Sequence, residues 1–351
     1  MANMAQAIRM ALHYAEQNLG VTDIFGQDVG APLGGVFTAT QGLKTAWNTP
    51  LDERGIIGAA MGLAMAGQRP VAEIQFADYI YNTIDLLKIA GNTCWSTNGD
   101  WNLPMVVMTP VGSGIRGSIY HSHSFDATAT HIPGWKIVMP SNPLDAYGLM
   151  LSAVQEQNPV MYLKPKALMR IRGEEQIPGE PGDDKALSKM IDAPLGDRSQ
   201  WKPNWPKLEG FTIPIGKAKI VRSGSHVTVV SYGRTLPLCA KAAAALAAEG
   251  IDAEVIDLRT LWPYDWEAIS ESVRKTGKVL YVNEDTEVTN FGEHLIRRTV
   301  EEHFYSLLAA PKLLAGKFIP GIGLADTLEM ASVPQLSDIT DAIRKLHAEA
   351  A

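Results

Sequence analysis

The apolar positions of this chain form one alternating pattern, and the pattern occurs twice. Up to about residue 165, the β-like runs "VTDIF", "RPVAEIQF", "LPMVVMT", "WKIVMP" and "PVMYL" alternate with helix-like segments at 50–67, 78–92 and 143–157. Short apolar runs bounded by turn residues predict buried strands, and their alternation with helices predicts a mostly parallel sheet covered on both faces. Residues 171–210 break the pattern with a stretch rich in Pro, Gly and charge, as a linker or a surface excursion does. A second α/β series follows, with "HVTVVSYG", a helix through "LCAKAAAALAAEG", "DAEVIDL", a helix near 266–275, and "KVLYVNE". Helices at 291–308 and 337–348 close it. The expected fold class is α/β, with two doubly wound domains at 1–170 and 211–351 joined through 171–210. No short repeat is present. The opening "MANMAQAIRMALHYAEQNLG" predicts an amphipathic helix, with Glu16 inside it, and not a signal peptide.

Composition narrows the picture. A chain of 351 residues with 46% hydrophobic and 20% charged residues can bury two large cores. A net charge of −7 leaves no basic stripe, so nucleic acid is not an expected partner. Cys94 and Cys239 have no CxxC or metal-ligand spacing, which points to a reducing compartment and a cytoplasmic location. The longest apolar stretch, 56–67, is far short of a membrane span.

Candidate chemistry begins at "NTPLDERGIIG". Thr49 suits a helix N-cap, Pro50 the first helical position, and Asp52 the reach back to the cap. Glu53 then faces about 100° further round, next to Gly55, Gly58, Ala59 and Gly62. It is either an acid favoured by the helix dipole or a functional carboxyl. The small face at 55–62 suits packing across a subunit interface or within the chain. "GSGIRG" at 112–117 matches a dinucleotide fingerprint after a predicted strand, yet "SIYHSHS" follows it and "WKIVMP" ends in Pro140 and Ser141, with no acid. A nicotinamide oxidoreductase is the reading of a different class that this string allows. His121, His123, His131 and Asp126 could suggest a metal, or simply a polar loop; no Cys or Glu stands at ligand spacing.

Four stretches, "NTPLDERGIIGAAMGLAMAGQRPVAEIQFADYI", "YHSHSFDA", "LKPKALMR" and "VIDLRTLWPYDWEAI", together resemble the β subunits of the thiamine-diphosphate-dependent 2-oxo acid dehydrogenases. The resemblance is nearest to the branched-chain (2-oxoisovalerate) enzymes and extends to pyruvate dehydrogenase. It implies a pyrimidine-binding domain, then a transketolase C-terminal-like domain. It implies that Glu53 hydrogen-bonds the cofactor's aminopyrimidine ring, buried among Gly55, Gly58 and Ala59. It further implies Leu51 and Gln75 in the pyrimidine pocket, Tyr79 near the ring, and His121 as the active-site histidine. A structural potassium would lie near Met105, Ala153, Val154, Glu156 and Asn158. The expected reaction is oxidative decarboxylation of a 2-oxo acid with acyl transfer to lipoamide; pyruvate or acetoin are alternative substrates, and a silent scaffold is a third possibility.

Several departures stand out. Gln27 replaces a usual glutamate in "GQDVG", His123 replaces a usual glutamine, "TQGLKTAWNTP" is short, 171–210 is long, and "NEDTEV" replaces a Glu-Ala-Pro turn. The G-D-G…N-N motif that binds diphosphate and magnesium is missing; "NGDW" at 98–101 lacks the third glycine and the asparagine pair. The resemblance therefore implies that an α subunit holds the magnesium and the diphosphate. The expected assembly is an α2β2 heterotetramer on a lipoyl acyltransferase core.

Overall fold

The structure, a computed structural model, describes residues 1–198 and 200–349. Residue 199 of the predicted excursion, and residues 350 and 351 of the predicted second domain, lie outside the described residues. The chain divides into two compact units: Met1–Pro110 with Ile132–Lys164 and Leu168–Ile215, and Val111–His131 with Pro165–Ala167 and the chain from Gly216 onward.

The first unit is built on six strands, β1 (Asp23–Gly26), β2 (Ala46–Asn48), β3 (Pro70–Glu73), β4 (Val106–Val111), β5 (Lys136–Val138) and β6 (Val160–Pro165). They run in the order β5-β6-β4-β3-β1-β2. The pairs β1–β2, β1–β3, β3–β4 and β5–β6 are parallel. Strands β3, β4 and β6 are buried throughout, as expected where helices cover both faces. Asn142 caps the helix Pro143–Gln155 by accepting from the Asp145 N–H, and Pro143 takes its first position.

The N-terminal helix, Met4–Asn18, has the predicted amphipathic pattern but is covered on its polar side as well over its first nine residues. Every residue from Met4 to Leu12 is buried, Gln6 and Arg9 included. The 171–210 stretch explains this, because it packs into the first unit instead of tethering two domains. Its helix Asp184–Ile191 buries Leu187 and Ile191. Arg9 pairs with Asp192 and donates to the Gln41 side chain (3.1 Å) and the Ile191 carbonyl (2.9 Å). Burial, the largest influence, holds the Arg9 guanidinium below its ordinary value against the opposing pull of Asp192. In the middle of the sheet Glu73 and Lys164, each 1% exposed, form an ion pair at 2.6 Å.

The second unit carries β7 (Lys219–Arg222), β8 (Val227–Ser231), β9 (Ala253–Asp257), the short β10 (Thr260–Trp262), β11 (Val279–Thr286) and β12 (Lys312–Gly316). Five of them form a sheet in the order β12-β11-β8-β9-β7, parallel except for β7. The helices Thr235–Ala247 and Leu336–Ala348 cover it with Leu236, Cys239, Ala243, Ile339 and Ile343. No helix among the described residues is long and apolar enough to cross a membrane.

Candidate functional site

In the first sheet β1 and β3 are neighbours, and the chain leaves β1 toward β2 on one side and β3 toward β4 on the other. Such a switch point opens a crevice beyond the strand ends, where α/β sheets bind ligands. The residues that follow the strands meet there. Gln75, just after β3, donates from Nε2 to Oδ2 of Asp28, just after β1, at 2.9 Å. Gln27 beside it is half-buried.

Glu53 enters from the end of β2. The helix does not start at Pro50, as its sequence predicts, but at Glu53, with Asp52 in the cap position and making no side-chain cap bond. The Thr49 hydroxyl donates to the Pro50 carbonyl (2.9 Å), and the Asp52 N–H also turns back to it (3.0 Å), so a tight turn replaces the first helical turn. Glu53 is therefore the first helical residue. Its Oε2 accepts from Asn82 Nδ2 at 3.1 Å, and Oε1 has no hydrogen bond among the described residues. Arg54 fixes Asn82 from the other side, donating to its carbonyl at 2.9 Å while forking onto Asp85 at 2.5 and 3.0 Å.

Gly55, Gly58 and Ala59 do not bury this carboxyl within the chain. All three are exposed and Glu53 is half-buried. A Cβ added at Gly58 or Gly62 would meet nothing within 4 Å, so the small face has no intrachain neighbour at these positions. Leu51, at 70% exposure, also faces solvent. Tyr79 is half-buried, edge-on to Phe76 at 6.1 Å. Burial first, then the charges of Asp78 and Glu53, push its phenol above the ordinary value, so Tyr79 lies in the electrostatic reach of Glu53. Glu53, Tyr79 and Asn82 form one group; Gln75 and Asp28 form another at the strand ends.

The five positions implied for potassium lie in this unit. The Val154 and Glu156 carbonyls accept from Arg69 Nη1 at 2.9 and 3.1 Å. The Ala153 carbonyl accepts from Glu156 N–H and the Met105 carbonyl from Val160 N–H. Asn158 Oδ1 is buried with no partner. Each carbonyl keeps a second lone pair, and two of them already face the positive charge of Arg69.

His121 belongs to the second unit. It ends the one-turn helix Ser118–His121 and is half-buried. Gly117 makes room for it: a Cβ there would lie 2.5 Å from the His121 Cβ. The His123 carbonyl accepts from the Gly112 N–H at 2.8 Å. Asp126 is fully buried, and burial, then Asp285 and Glu284, push its carboxyl well above the usual range. No group of three or more His, Cys, Asp or Glu residues among the described residues could hold a metal ion. "GSGIRG" is no dinucleotide cradle either: Glu284 Oε2 already takes the Ser113 N–H and hydroxyl at 3.2 and 2.6 Å.

The sequence does not single out Asn82, Asp28 or Arg69. Asn82 sits in "YIYNTID", and only its place two residues before the helix Ile84–Ser96 separates it from ordinary polar positions. Arg69 reads as a charge ahead of a strand, with nothing local to reveal carbonyls more than eighty residues later as its partners.

Models of two families match the chain, the transketolase pyrimidine binding domain over residues 1–172 and the transketolase C-terminal domain over residues 216–339. The chain is 37% identical over 348 residues to the 2-oxoisovalerate dehydrogenase subunit beta of Bacillus subtilis (strain 168), covering 97% of each. It is 36% identical over 350 residues to the pyruvate dehydrogenase E1 component subunit beta of Acholeplasma laidlawii, covering 98% of this chain and 97% of that one. A solved structure entitled "Split gene transketolase, inactive beta4 tetramer" matches over the full length of both chains with a TM-score of 0.71 at 19% identity, a likeness in fold.

Proposed function

We propose, from the premise that this chain belongs to the β subunits of the thiamine-diphosphate-dependent 2-oxo acid dehydrogenases, that it supplies the pyrimidine half of a site decarboxylating a branched-chain 2-oxo acid and passing the acyl group to lipoamide. The observation that carries this is the Glu53 carboxyl at the sheet's crevice, with one oxygen engaged by Asn82 and the other open. Thiamine diphosphate, when bound, supplies the carbon nucleophile and the electron sink that this reaction needs. Glu53 would meet the pyrimidine ring with Oε1, the oxygen that Asn82 leaves open, while Asn82 keeps the carboxyl from turning away. Tyr79 and Leu51 exclude water beside the ring, and Gln75 orients it by hydrogen bonding. His121 positions the oxo acid or moves a proton during acyl transfer.

The chain's exposed features support a split site. Leu51, Gly58, Ala59 and Gly62 are uncovered around Glu53. A partner surface there would take water from the carboxyl and favour its neutral, donor form. We assign that role to an α subunit holding the diphosphate and magnesium, in an α2β2 heterotetramer on a lipoyl acyltransferase core. The free Cys94 and Cys239 accord with a cytoplasmic location.

A potassium ion at Met105, Ala153, Val154, Glu156 and Asn158 accounts for the orphaned Asn158 oxygen. If it binds, replacing sodium by potassium raises the midpoint of thermal unfolding, by about 2–4 °C for ~1 kcal/mol of linkage; equal midpoints in the two salts refute it.

The test of function is 2-oxo acid-dependent dye reduction by the chain co-expressed with its α partner, with thiamine diphosphate and magnesium. Fastest turnover of 2-oxoisovalerate or 2-oxoisocaproate over pyruvate and 2-oxoglutarate is the expected result. Preference for pyruvate or acetoin would keep the reaction class and change the substrate. An assembled complex silent on all of them would make the chain a scaffold.

A further inference from the structure

The segment from Gly112 to Asp126 is conformationally costly. Gly112, Gly114, Arg116, Ser118 and Phe125 all have φ between 55° and 101°, and three of these are not glycine. Local sequence does not impose such a run; something outside it must hold the backbone in place. Its backbone N–H groups show what does. Glu329 Oε1 accepts from the Gly114 N–H at 2.8 Å, and both its oxygens lie 3.2 Å from the Arg116 nitrogen. Glu284 takes Ser113, as described, and Asp285 Oδ2 takes the Ala127 N–H at 2.9 Å. Glu329 is 5% exposed, on the helix Asp326–Ser332.

Neighbouring N–H groups turned inward by left-handed residues form a concavity that binds an anion. The glycine pattern that suggests a diphosphate cradle in the sequence is such a concavity, and the chain's own carboxylate fills it. The close contacts fix it further. A Cβ at Gly112 would lie 2.0 Å from Glu284 Oε1, and one at Gly114 would lie 2.5 Å from the Ala167 Cβ. The turn carrying His121 springs from Gly117, directly after this nest.

We propose that Glu329 is a positioning residue for His121: by occupying the nest at residues 114–116 it sets the backbone from which the His121 turn begins. This rests on the reading that His121 acts on the substrate. Glu329 itself touches no reacting atom.

The experiment uses the assembled complex with wild type, Glu329→Gln, His121→Gln and the double variant. Glu329→Gln keeps the shape, halves the acceptors and removes the charge. Amide hydrogen exchange at Gly114 and Arg116 should quicken by about tenfold or more, with the β8–β11 core unchanged. The kcat for decarboxylation should fall by about 10- to 100-fold while KM moves by less than about threefold, as for a misplaced group. The double variant should be no slower than His121→Gln alone. Unchanged exchange at 114 and 116 overturns the proposal, and so does additivity in the double variant. If His121→Gln alone leaves kcat intact, the reading of His121 fails, and the exchange data still decide whether Glu329 holds the segment. Should Glu329→Gln not assemble, Glu329→Asp keeps the charge with a shorter reach, and the same two readouts apply to it.

Discussion

At Glu53 a carboxyl is held by one hydrogen bond and left open at its other oxygen, which is how a side chain is prepared for a partner that is not yet there. Replacing it by Gln keeps the Asn82 contact and removes the ionisable carboxyl. The expected result is a stable chain, unchanged in thermal midpoint, whose complex loses about 10²–10⁴ in decarboxylation rate. Asn82→Ala should cost less, about tenfold, because it frees the carboxyl without removing it. Both are read by the dye assay. Asp126 makes a second prediction at this scale. Its folded pKa lies above the unfolded one, chiefly through burial and then Asp285 and Glu284. The native chain therefore holds a proton that the unfolded chain has lost. The corresponding stability is complete below about pH 4, the ordinary Asp range, and declines as pH rises through the folded value. Unfolding midpoints at pH 5 and pH 8 should thus differ more for wild type than for Asp126→Asn, and equal differences would show that Asp126 does not titrate in this way.

The helix Glu53–Met65 shows how far an element can be read before it is seen. Its apolar periodicity is plain in the sequence, and Ile56, Ile57, Ala60, Met61 and Ala64 are its buried face. Its start is not plain, because Thr49, Pro50 and Asp52 also satisfy a cap one turn earlier. What decides is tertiary: the Thr49 N–H donates to the Gly26 carbonyl at 3.0 Å, keeping the chain extended past β2. The predicted helix 78–92 likewise resolves into a 3₁₀ stretch, Ala77–Thr83, and an α-helix from Ile84. Three- and four-residue strands such as β2 and β7 carry too few residues for period-2 alternation to register. The exposed side of Glu53–Met65 is small for a reason that the chain alone does not use. Gly58→Leu should leave the unfolding midpoint of the isolated chain within about 2 °C, since no atom lies within 4 Å of the added Cβ. The same change should prevent α–β assembly in size-exclusion chromatography; normal assembly would place the interface elsewhere.

For the whole molecule, alternating strands and helices made the two doubly wound sheets legible, whereas long-range polar pairing was not. Lys164 lies inside β6, and nothing in the local pattern names its partner. In the fold it is the buried partner of Glu73, ninety-one residues away. Lys164→Met strands a carboxylate in the core and should cost about 3–5 kcal/mol in denaturant unfolding. The Lys164→Met, Glu73→Leu pair should recover much of that. A loss under about 1 kcal/mol for the single change would mean that the pair is hydrated.

The buried first helix has a consequence for synthesis on the ribosome. Met4–Asn18 is made long before part of its cover, Leu187, Ile191 and Ile213 from the end of the same unit. At about 5–20 residues per second, its apolar surface waits for roughly 10–40 s before the last of those residues is made. For that interval the nascent chain presents Ile8, Met10 and Leu12 to whatever binds greasy helices. A chaperone that shields apolar helices on a nascent chain would act in that interval, and slow codons between 20 and 213 would lengthen the exposure, while those after 215 would not.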